Sequence, residues 1–145
     1  MLLAPARSHA RAASTGSGTL PRRAFGCGVD VVELTRFRQA VARGGKAFLQ
    51  RIFTPQEQRY AAARKYTTML HLAGRFAAKE AVIKAVAQVD PKRLLAMKHV
   101  EIRNDRMGRP SVTLHDRNGH RKTLQLHISL SHVKSVAVAS AIAIR

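Results

Sequence analysis

Two acidic side chains, Asp30 and Glu80, lie in sequence surroundings where a carboxylate needs a partner. Glu80 has apolar neighbours in a segment with helical periodicity, and such a carboxylate is costly unless it is paired or bound to a metal. Asp30 follows a strand-like segment in which Gly26 and Gly28 would let a ligand approach the backbone closely. Carboxylates from two elements can share one Mg²⁺, which usually completes its shell with phosphate and water. The pair therefore indicates a candidate magnesium site.

Each of these residues also has a simpler structural explanation. Lys84, one helical turn after Glu80, could neutralise it in a pair along the helix. Asp30 could cap the helix that follows it.

His132 ends a segment whose polar face carries Ser131, and a hydroxyl and an imidazole at a strand end could bind phosphate. An exposed turn histidine is the alternative there, and the residue types leave both explanations open.

Charge is the one extreme feature of the composition. The chain of 145 residues has 26 Lys and Arg against 8 Asp and Glu, a formal net charge of +18. Such a surface attracts polyanions, either nucleic acid, an acidic protein or a phosphorylated small molecule. Arg36 and Arg43 share a face of a predicted helix, where they could meet an acidic partner or simply be solvated.

No apolar run reaches the roughly 18 to 20 residues of a membrane span, which predicts a soluble protein without a membrane partner.

Hydrophobic periodicity predicts an α+β domain that would hold these residues in place. Helices are predicted over residues 33–43, 54–65 and 68–89, and strands over residues 25–32, 99–104, 110–116, 124–130 and 136–144. Gly44 and Gly45 are predicted to end the first helix. Thr54, Pro55 and Glu57 form the pattern of a capping box at the start of the second. The last strand is apolar on both faces, which predicts a central place in a sheet.

Three further features of the sequence are its N-terminal segment, one turn and its single cysteine. Residues 1–24 are rich in Ala, Ser and Arg and contain no acidic residue, which predicts either a disordered extension or an organelle transit peptide before a domain at 25–145. The corresponding location is the cytoplasm, or an organelle matrix if the segment is a transit peptide. Asn118 and Gly119 predict a turn. Cys27, the single cysteine, is predicted to be a small buried hydrophobe.

Four sequence blocks together resemble the holo-acyl-carrier-protein synthase family, the short phosphopantetheinyl transferases. The blocks are GVDVVELTRF at residues 28–37, RIFTPQE at 51–57, LAGRFAAKEAVIKA at 72–85 and ISLSH at 128–132. Four blocks in the family's order are far more specific than any one of them. The resemblance implies a phosphopantetheinyl transferase fold, an antiparallel sheet packed with one long and two shorter helices, in a homotrimer with sites at subunit interfaces.

The same resemblance implies an activity, the transfer of 4′-phosphopantetheine from coenzyme A to a serine of an apo-acyl carrier protein. Asp30 and Glu80 would hold Mg²⁺, and Glu80 would help to take the serine proton. Lys84 would bind the pyrophosphate. The other implied roles are coenzyme A binding by Arg75, Ser131 and His132, and carrier-protein binding by Arg36 and Arg43.

One departure from the family pattern and two alternatives remain. The family usually has a glycine-containing loop after the Lys84 helix, whereas residues 86–93 contain no glycine, and Lys92 or Arg93 would have to replace its phosphate contacts. An inactive family member that serves as a scaffold is therefore one alternative. The other is a basic nucleic-acid-binding module, against which stand the 5% aromatic content and the lack of an aromatic-basic RNA motif.

Overall fold

A computed structural model describes residues 23–115 and 124–145. Within them the chain forms β1 (Phe25–Glu33), α1 (Leu34–Ile52), α2 (Pro55–Ala62), α3 (Thr68–Val89), a 3₁₀ turn (Met97–His99), β2 (Val100–Asn104), β3 (Pro110–Leu114), β4 (Gln125–His132) and β5 (Val136–Ile144). The α+β class and the long third helix are confirmed. The turn predicted at residues 118–119 and the N-terminal segment up to residue 22 lie outside the described residues.

The strands form two antiparallel groups. One is a three-stranded sheet in the order β1-β5-β4, and the other is the β2-β3 hairpin. The central position of β5 is therefore confirmed. Its odd-numbered alanines, Ala137 to Ala143, are buried against α3, and small side chains let the helix lie close to the sheet. None of the helices in the described part of the chain has the length and apolar character that a membrane crossing needs.

Glycines in β1 allow a close contact between β1 and α3. A Cβ atom at Gly26 would lie 2.0 Å from the carbonyl oxygen of Ala85, and one at Gly28 would lie 2.0 Å from that of Ala81. Both distances are impossible for a real side chain, so only glycine permits this approach. The expectation that these glycines leave room for a ligand is wrong, because a helix backbone occupies the space.

Helix α1 extends beyond its predicted end. Gly45 has φ 53° and ψ −144°, a left-handed conformation that interrupts the helix at the predicted place. The helical conformation then resumes and continues to Ile52, because Phe48, Leu49 and Ile52 pack against the core. The end predicted at Arg43 is therefore a kink and not a terminus.

A buried ion pair links α2 to α3. The Nζ atom of Lys79 lies 2.7 Å from Oε2 of Glu57, and both side chains are fully buried. Lys79 also donates to the carbonyl oxygens of Ile52 and Met97, while Glu57 accepts from the backbone N–H of Ile102. Glu57 completes the predicted capping box of α2 as well. Burial lowers the pKa of Lys79, and the charge of Glu57 opposes that shift.

The face of the sheet that points away from α3 is open, and it is apolar along β1. We call it the open face; it carries Phe25, Cys27, Val29, Val31 and Ile142. The three large residues of β1 are 59 to 65% exposed, which is unusual for side chains of this kind. Cys27 is exposed there, so the prediction that it is buried is wrong: its position in the strand alternation turns it away from α3.

Candidate active site

The first group of predicted site residues lines one cleft between β1, α1 and α3. We call it the carboxylate cleft; its walls include Asp30, Glu33, Arg36, Arg43, Phe76 and Glu80. Asp30 points towards α3 because it alternates with the outward-facing residues of β1. Glu80 faces the same space from the middle of α3. Two arginines of α1 therefore border the cleft that contains both predicted metal ligands.

Lys84 joins this cleft through Asp30. Its Nζ atom donates to Oδ1 of Asp30 at 2.8 Å and to the carbonyl oxygen of Val29 at 2.9 Å. The Asp30 side chain is 20% exposed, so the pair sits at the surface edge of the core. The close contact of β1 with α3 sets this geometry, since it places the backbone of Val29 within reach of the lysine.

Both simpler explanations for the two carboxylates are wrong. No ion pair joins Glu80 to Lys84 among the described residues, because Lys84 is directed to Asp30 on the neighbouring strand. Asp30 does not cap α1, because β1 continues for three further residues and Glu33 occupies the cap position without a side-chain bond. The two acidic groups are thus not accounted for by local helix structure.

A second group lines a separate cavity of about 210 Å³, which we call the cationic cavity. Its walls include Tyr60 of α2, His71 and Arg75 of α3, Asn104 of β2, and His132 at the end of β4. The rings of His71 and His132 meet edge to face at 6.1 Å. Of the residues that line this cavity in the described part of the chain, none is acidic.

Arg75 is the most buried charge of the cationic cavity, with 4% of its surface exposed. Its Nη2 donates to Oδ1 of Asn104 at 2.7 Å, and its guanidinium carbon lies 3.8 Å from the centre of the Tyr60 ring. Burial lowers the pKa of Arg75, although Tyr60 and Glu57 oppose the shift. Its Nε has no hydrogen-bond partner within the described residues. A buried donor without a partner is costly, which makes this nitrogen suited to an anionic ligand.

The structure separates the predicted site residues into these two places. Arg75 and Glu80 are five residues apart on α3, which turns them about 140° away from each other around the helix axis. Ser131 belongs to neither place: it is exposed and alternates with His132, so it faces the open side of the sheet while His132 faces His71. Within one chain Arg75 and His132 therefore share the cationic cavity, whereas Lys84 and Ser131, also predicted for coenzyme A, lie elsewhere.

Sequence reasoning missed three residues of the cationic cavity, namely Tyr60, His71 and Asn104. His71 had a usable signal, because it precedes Arg75 by four residues on a predicted helix and must share its face. Tyr60 and Asn104 had none, since tertiary contacts alone bring α2 and β2 to α3.

The donor set of the carboxylate cleft fits a magnesium ion. Asp30 and Glu80 offer oxygen ligands from two rigid elements, and Mg²⁺ commonly takes one or two carboxylates together with substrate phosphates and water. The described residues contain no cluster of three or more acidic, histidine or cysteine side chains of the kind that would enclose a metal completely. A site with two protein ligands would leave positions for a phosphate substrate.

Comparison with known proteins places this arrangement in a family. The sequence profile of the 4′-phosphopantetheinyl transferase superfamily matches residues 26–141. The chain therefore belongs to that superfamily, as its sequence blocks indicate.

Two individual relatives and one solved structure show what this chain is similar to within the superfamily. The holo-[acyl-carrier-protein] synthase of Geotalea daltonii is 40% identical over 119 residues, which cover 79% of this chain and 94% of the relative. That of Alkaliphilus oremlandii is 43% identical over 126 residues and covers 82% and 98%. Among solved structures, the ACPS–CoA complex of Chronobacterium ammoniagenes superposes with a TM-score of 0.72 at 32% identity, and the match covers 84% of this chain and 97% of that one.

Proposed function

We propose that this protein is a holo-acyl-carrier-protein synthase: it transfers the 4′-phosphopantetheine group of coenzyme A to a serine of an apo-acyl carrier protein. The observation that carries the proposal is the carboxylate cleft, where Asp30, Glu80 and Lys84 lie next to the exposed arginines of α1. The two relatives described above are holo-[acyl-carrier-protein] synthases, and the structural neighbour is a complex of ACPS with CoA.

The reaction forms a bond between the serine oxygen and the β-phosphorus of coenzyme A and breaks the bond from that phosphorus to the bridging oxygen. Adenosine 3′,5′-bisphosphate leaves. Such a transfer depends on in-line positioning and charge neutralisation more than on covalent participation by the protein. Glu80 is the group that we expect to take the serine proton, directly or through a water. Lys84 would bind the pyrophosphate and offset the charge on the leaving group.

We propose Mg²⁺ as the cofactor, held by Asp30 and Glu80. When bound, the ion would neutralise charge on the phosphate oxygens of the substrate. Asp30 has a second role that belongs to the protein alone, because its ion pair fixes the ammonium group of Lys84 at the edge of the cleft.

The carrier protein would dock on α1. Arg36 and Arg43 are exposed and border the carboxylate cleft, so an acidic helix bound there would bring its serine close to Glu80. The net charge of +18 would accelerate the encounter with both anionic substrates. The nucleotide end of coenzyme A would take the cationic cavity, where Arg75 and His132 face a space without acidic groups.

A homotrimer would explain how one substrate reaches both places. We propose that the carboxylate cleft of one subunit and the cationic cavity of its neighbour form one composite site. Two observations support this: the two halves lie on different sides of α3, and the open face of the sheet offers an apolar surface for a second copy. Ser131, which lies on that face, would then belong to the interface region and reach coenzyme A only in the assembly.

The central experiment incubates purified protein with apo-acyl carrier protein, coenzyme A and Mg²⁺ and reads the carrier mass by intact-protein mass spectrometry. We expect a mass increase of one phosphopantetheine, which EDTA and the substitution Glu80→Gln both abolish. Salt-sensitive nucleic-acid binding together with no binding of coenzyme A would support the nucleic-acid alternative instead. Coenzyme A binding without transfer to any of several carriers would support the inactive scaffold.

A mixing experiment tests the composite site. Glu80→Gln and Arg75→Gln each disable one half, so each variant alone should be inactive. When the two are unfolded together and refolded as hybrids, about a quarter of the sites should combine two intact halves and recover activity. Light scattering should give the mass of a trimer, and Val29→Lys on the open face should reduce it. Hybrids that stay inactive although mixed trimers form would contradict the composite site.

The cellular role is also a proposal. We propose that the enzyme supplies holo-carrier protein for fatty acid biosynthesis in the cytoplasm, with an organelle matrix as the alternative. Fluorescent fusions of the full chain and of a chain without residues 1–22 distinguish the two, since only a transit peptide would make the location depend on that segment.

A further inference from the structure

One histidine of the cationic cavity has no part in the roles described above. His71 lies in the first turns of α3, and its ring is 6.1 Å from that of His132 and 5.6 Å from that of Tyr60. Both contacts are edge to face. Because His71 precedes Arg75 by four residues, the two side chains share one face of the helix and line the same cavity.

Two arginines and a second histidine lie around His71, while the β2-β3 hairpin contributes only Ile102, Asn104, Gly108 and Pro110 to the cavity wall. Arg64 follows α2 and stacks on Tyr60 at 3.5 Å, Arg75 lies on α3, and His132 comes from β4. Burial first, and then the charges of Arg64, Arg75 and His132, lower the pKa of His71 from 6.5. Burial and the two arginines therefore favour the neutral imidazole over the imidazolium.

A phosphate group in this cavity would reverse that balance. A dianion beside His71 would offset the repulsion from Arg64 and Arg75 and favour the imidazolium, so the pKa of His71 would rise on binding. Linkage requires the converse as well: a proton on His71 must strengthen phosphate binding by the same factor. Arg75, whose Nε has no hydrogen-bond partner within the described residues, lines the same cavity and adds a positive group for the same ligand.

We propose that His71 is a proton-linked ligand for a phosphate of the nucleotide end of coenzyme A, which protonates as the phosphate enters the cationic cavity and then donates a hydrogen bond to it. The proposal rests on the proposed function, because that function supplies the substrate. It adds a binding residue and a proton to that site: nucleotide affinity should rise as the pH falls towards 7.

Calorimetric titration with adenosine 3′,5′-bisphosphate at pH 7.5, in two buffers of different ionisation enthalpy, counts the protons taken up. At this pH the phosphomonoester, whose second pKa is about 6, is already dianionic. We expect proton uptake by the wild-type protein and less by His71→Phe, which keeps an aromatic ring at the two edge contacts. His115→Gln is the matched control: it removes a histidine outside the cavity but keeps a donor for Glu101, and its uptake should equal that of the wild type.

The pH dependence of the affinity gives the size of the effect. One fully linked proton changes the association constant about ten-fold per pH unit, so the wild-type affinity should fall by up to that factor between pH 7 and 8. That of His71→Phe should fall less. Adenosine 5′-monophosphate serves as a second ligand: uptake with the bisphosphate alone assigns the effect to the 3′-phosphate, uptake with both assigns it to the 5′-phosphate, and either result supports the proposal.

Nuclear magnetic resonance of the imidazole protons provides a measurement that needs no folded variant. The pKa of His71 in the wild-type protein should be higher with the bisphosphate than without it. An unchanged pKa, or equal proton uptake by wild type and His71→Phe, would overturn the proposal while coenzyme A binding stands. If the wild-type protein does not bind the bisphosphate at all, the proposed coenzyme A site is wrong and this inference falls with it.

Discussion

The carboxylate cleft and the cationic cavity are built in different ways. The geometry of the carboxylate cleft depends on a backbone contact. Gly26 and Gly28 bring β1 onto α3, so that Lys84 of α3 reaches Asp30. Side-chain stacking sets the second, where Tyr60 holds Arg75 and contacts His71. The first place should therefore govern the chemical step, and the second should govern the binding of the nucleotide.

The largest effect expected is on catalysis in the carboxylate cleft. Glu80→Gln keeps the size of the side chain but removes both the proton acceptor and a metal ligand, so kcat should fall by about 10²- to 10⁴-fold. The dissociation constant for adenosine 3′,5′-bisphosphate should change little, because its site is the other cavity. Steady-state kinetics and calorimetry on the same preparation measure both, with the thermal melting point as the control for folding. A variant that loses nucleotide affinity but retains kcat would reverse the comparison.

The buried ion pair of Lys79 and Glu57, which lines neither place, should have the largest effect on stability. Lys79→Met leaves Glu57 as a buried carboxylate without its partner, and breaking such a pair costs about 3–5 kcal/mol. Urea unfolding measures this loss. The double variant Lys79→Met with Glu57→Gln should regain part of it, because the remaining side chain is neutral. Equal destabilisation of the single and double variants would mean that packing, and not the unpaired charge, causes the loss.

Two glycine-to-alanine substitutions compare the two sides of α3 directly. Gly28→Ala would place a Cβ 2.0 Å from a backbone oxygen, so β1 and α3 must separate, at a cost of about 1–3 kcal/mol or more. This separation should also lower activity, because it moves Asp30 away from Lys84. Gly74→Ala is the matched control in the wall of the cationic cavity. Its Cβ would meet only Leu130 at 3.5 Å, and the gain in helix propensity should leave stability unchanged or raise it by up to about 1 kcal/mol.

Most of the fold followed from local pattern. The capping box at Thr54 and the long helix to Val89 were predicted correctly because short-range chemistry decides them. The resumption of α1 after Gly45 was missed because tertiary packing, and not helix propensity, stabilises the second segment. The exposure of Cys27 was missed because an apolar strand residue predicts burial, whereas the face it occupies is open in a single chain.

Only the site residues that belong to the four sequence blocks could be predicted. Asp30, Glu80 and Lys84 were identified together, and the structure brings them to one cleft. Strand alternation correctly predicts Ser131 on the polar face of β4, although it does not predict that this face is separate from the cavity that His132 lines. The stacking of Arg75 on Tyr60 could not be predicted, because no spacing along the chain relates α2 to α3 at that contact.

A smaller effect is expected in the cationic cavity. His132→Phe keeps an aromatic ring against His71 but removes the nitrogen atoms that could bind a phosphate. KM for coenzyme A should rise about 10-fold, a typical consequence of one lost charge-assisted hydrogen bond, while kcat changes little. Kinetics with varied coenzyme A and saturating carrier protein measure the split. A fall in kcat with an unchanged KM would move His132 from binding to the chemical step.

The smallest effect concerns the pH dependence of stability. The pKa of His71 is lower in the folded protein than its ordinary value of 6.5, chiefly because of burial and then of Arg64. Below about pH 6.5 the unfolded chain therefore binds more protons, and the contribution of His71 to stability is lost as the pH falls through the lowered value. The wild-type melting point should drop more than that of His71→Phe between pH 7.5 and 5.5, by a few degrees at most. Equal drops would mean that neither burial nor the neighbouring arginines lower the pKa of His71 in the folded protein.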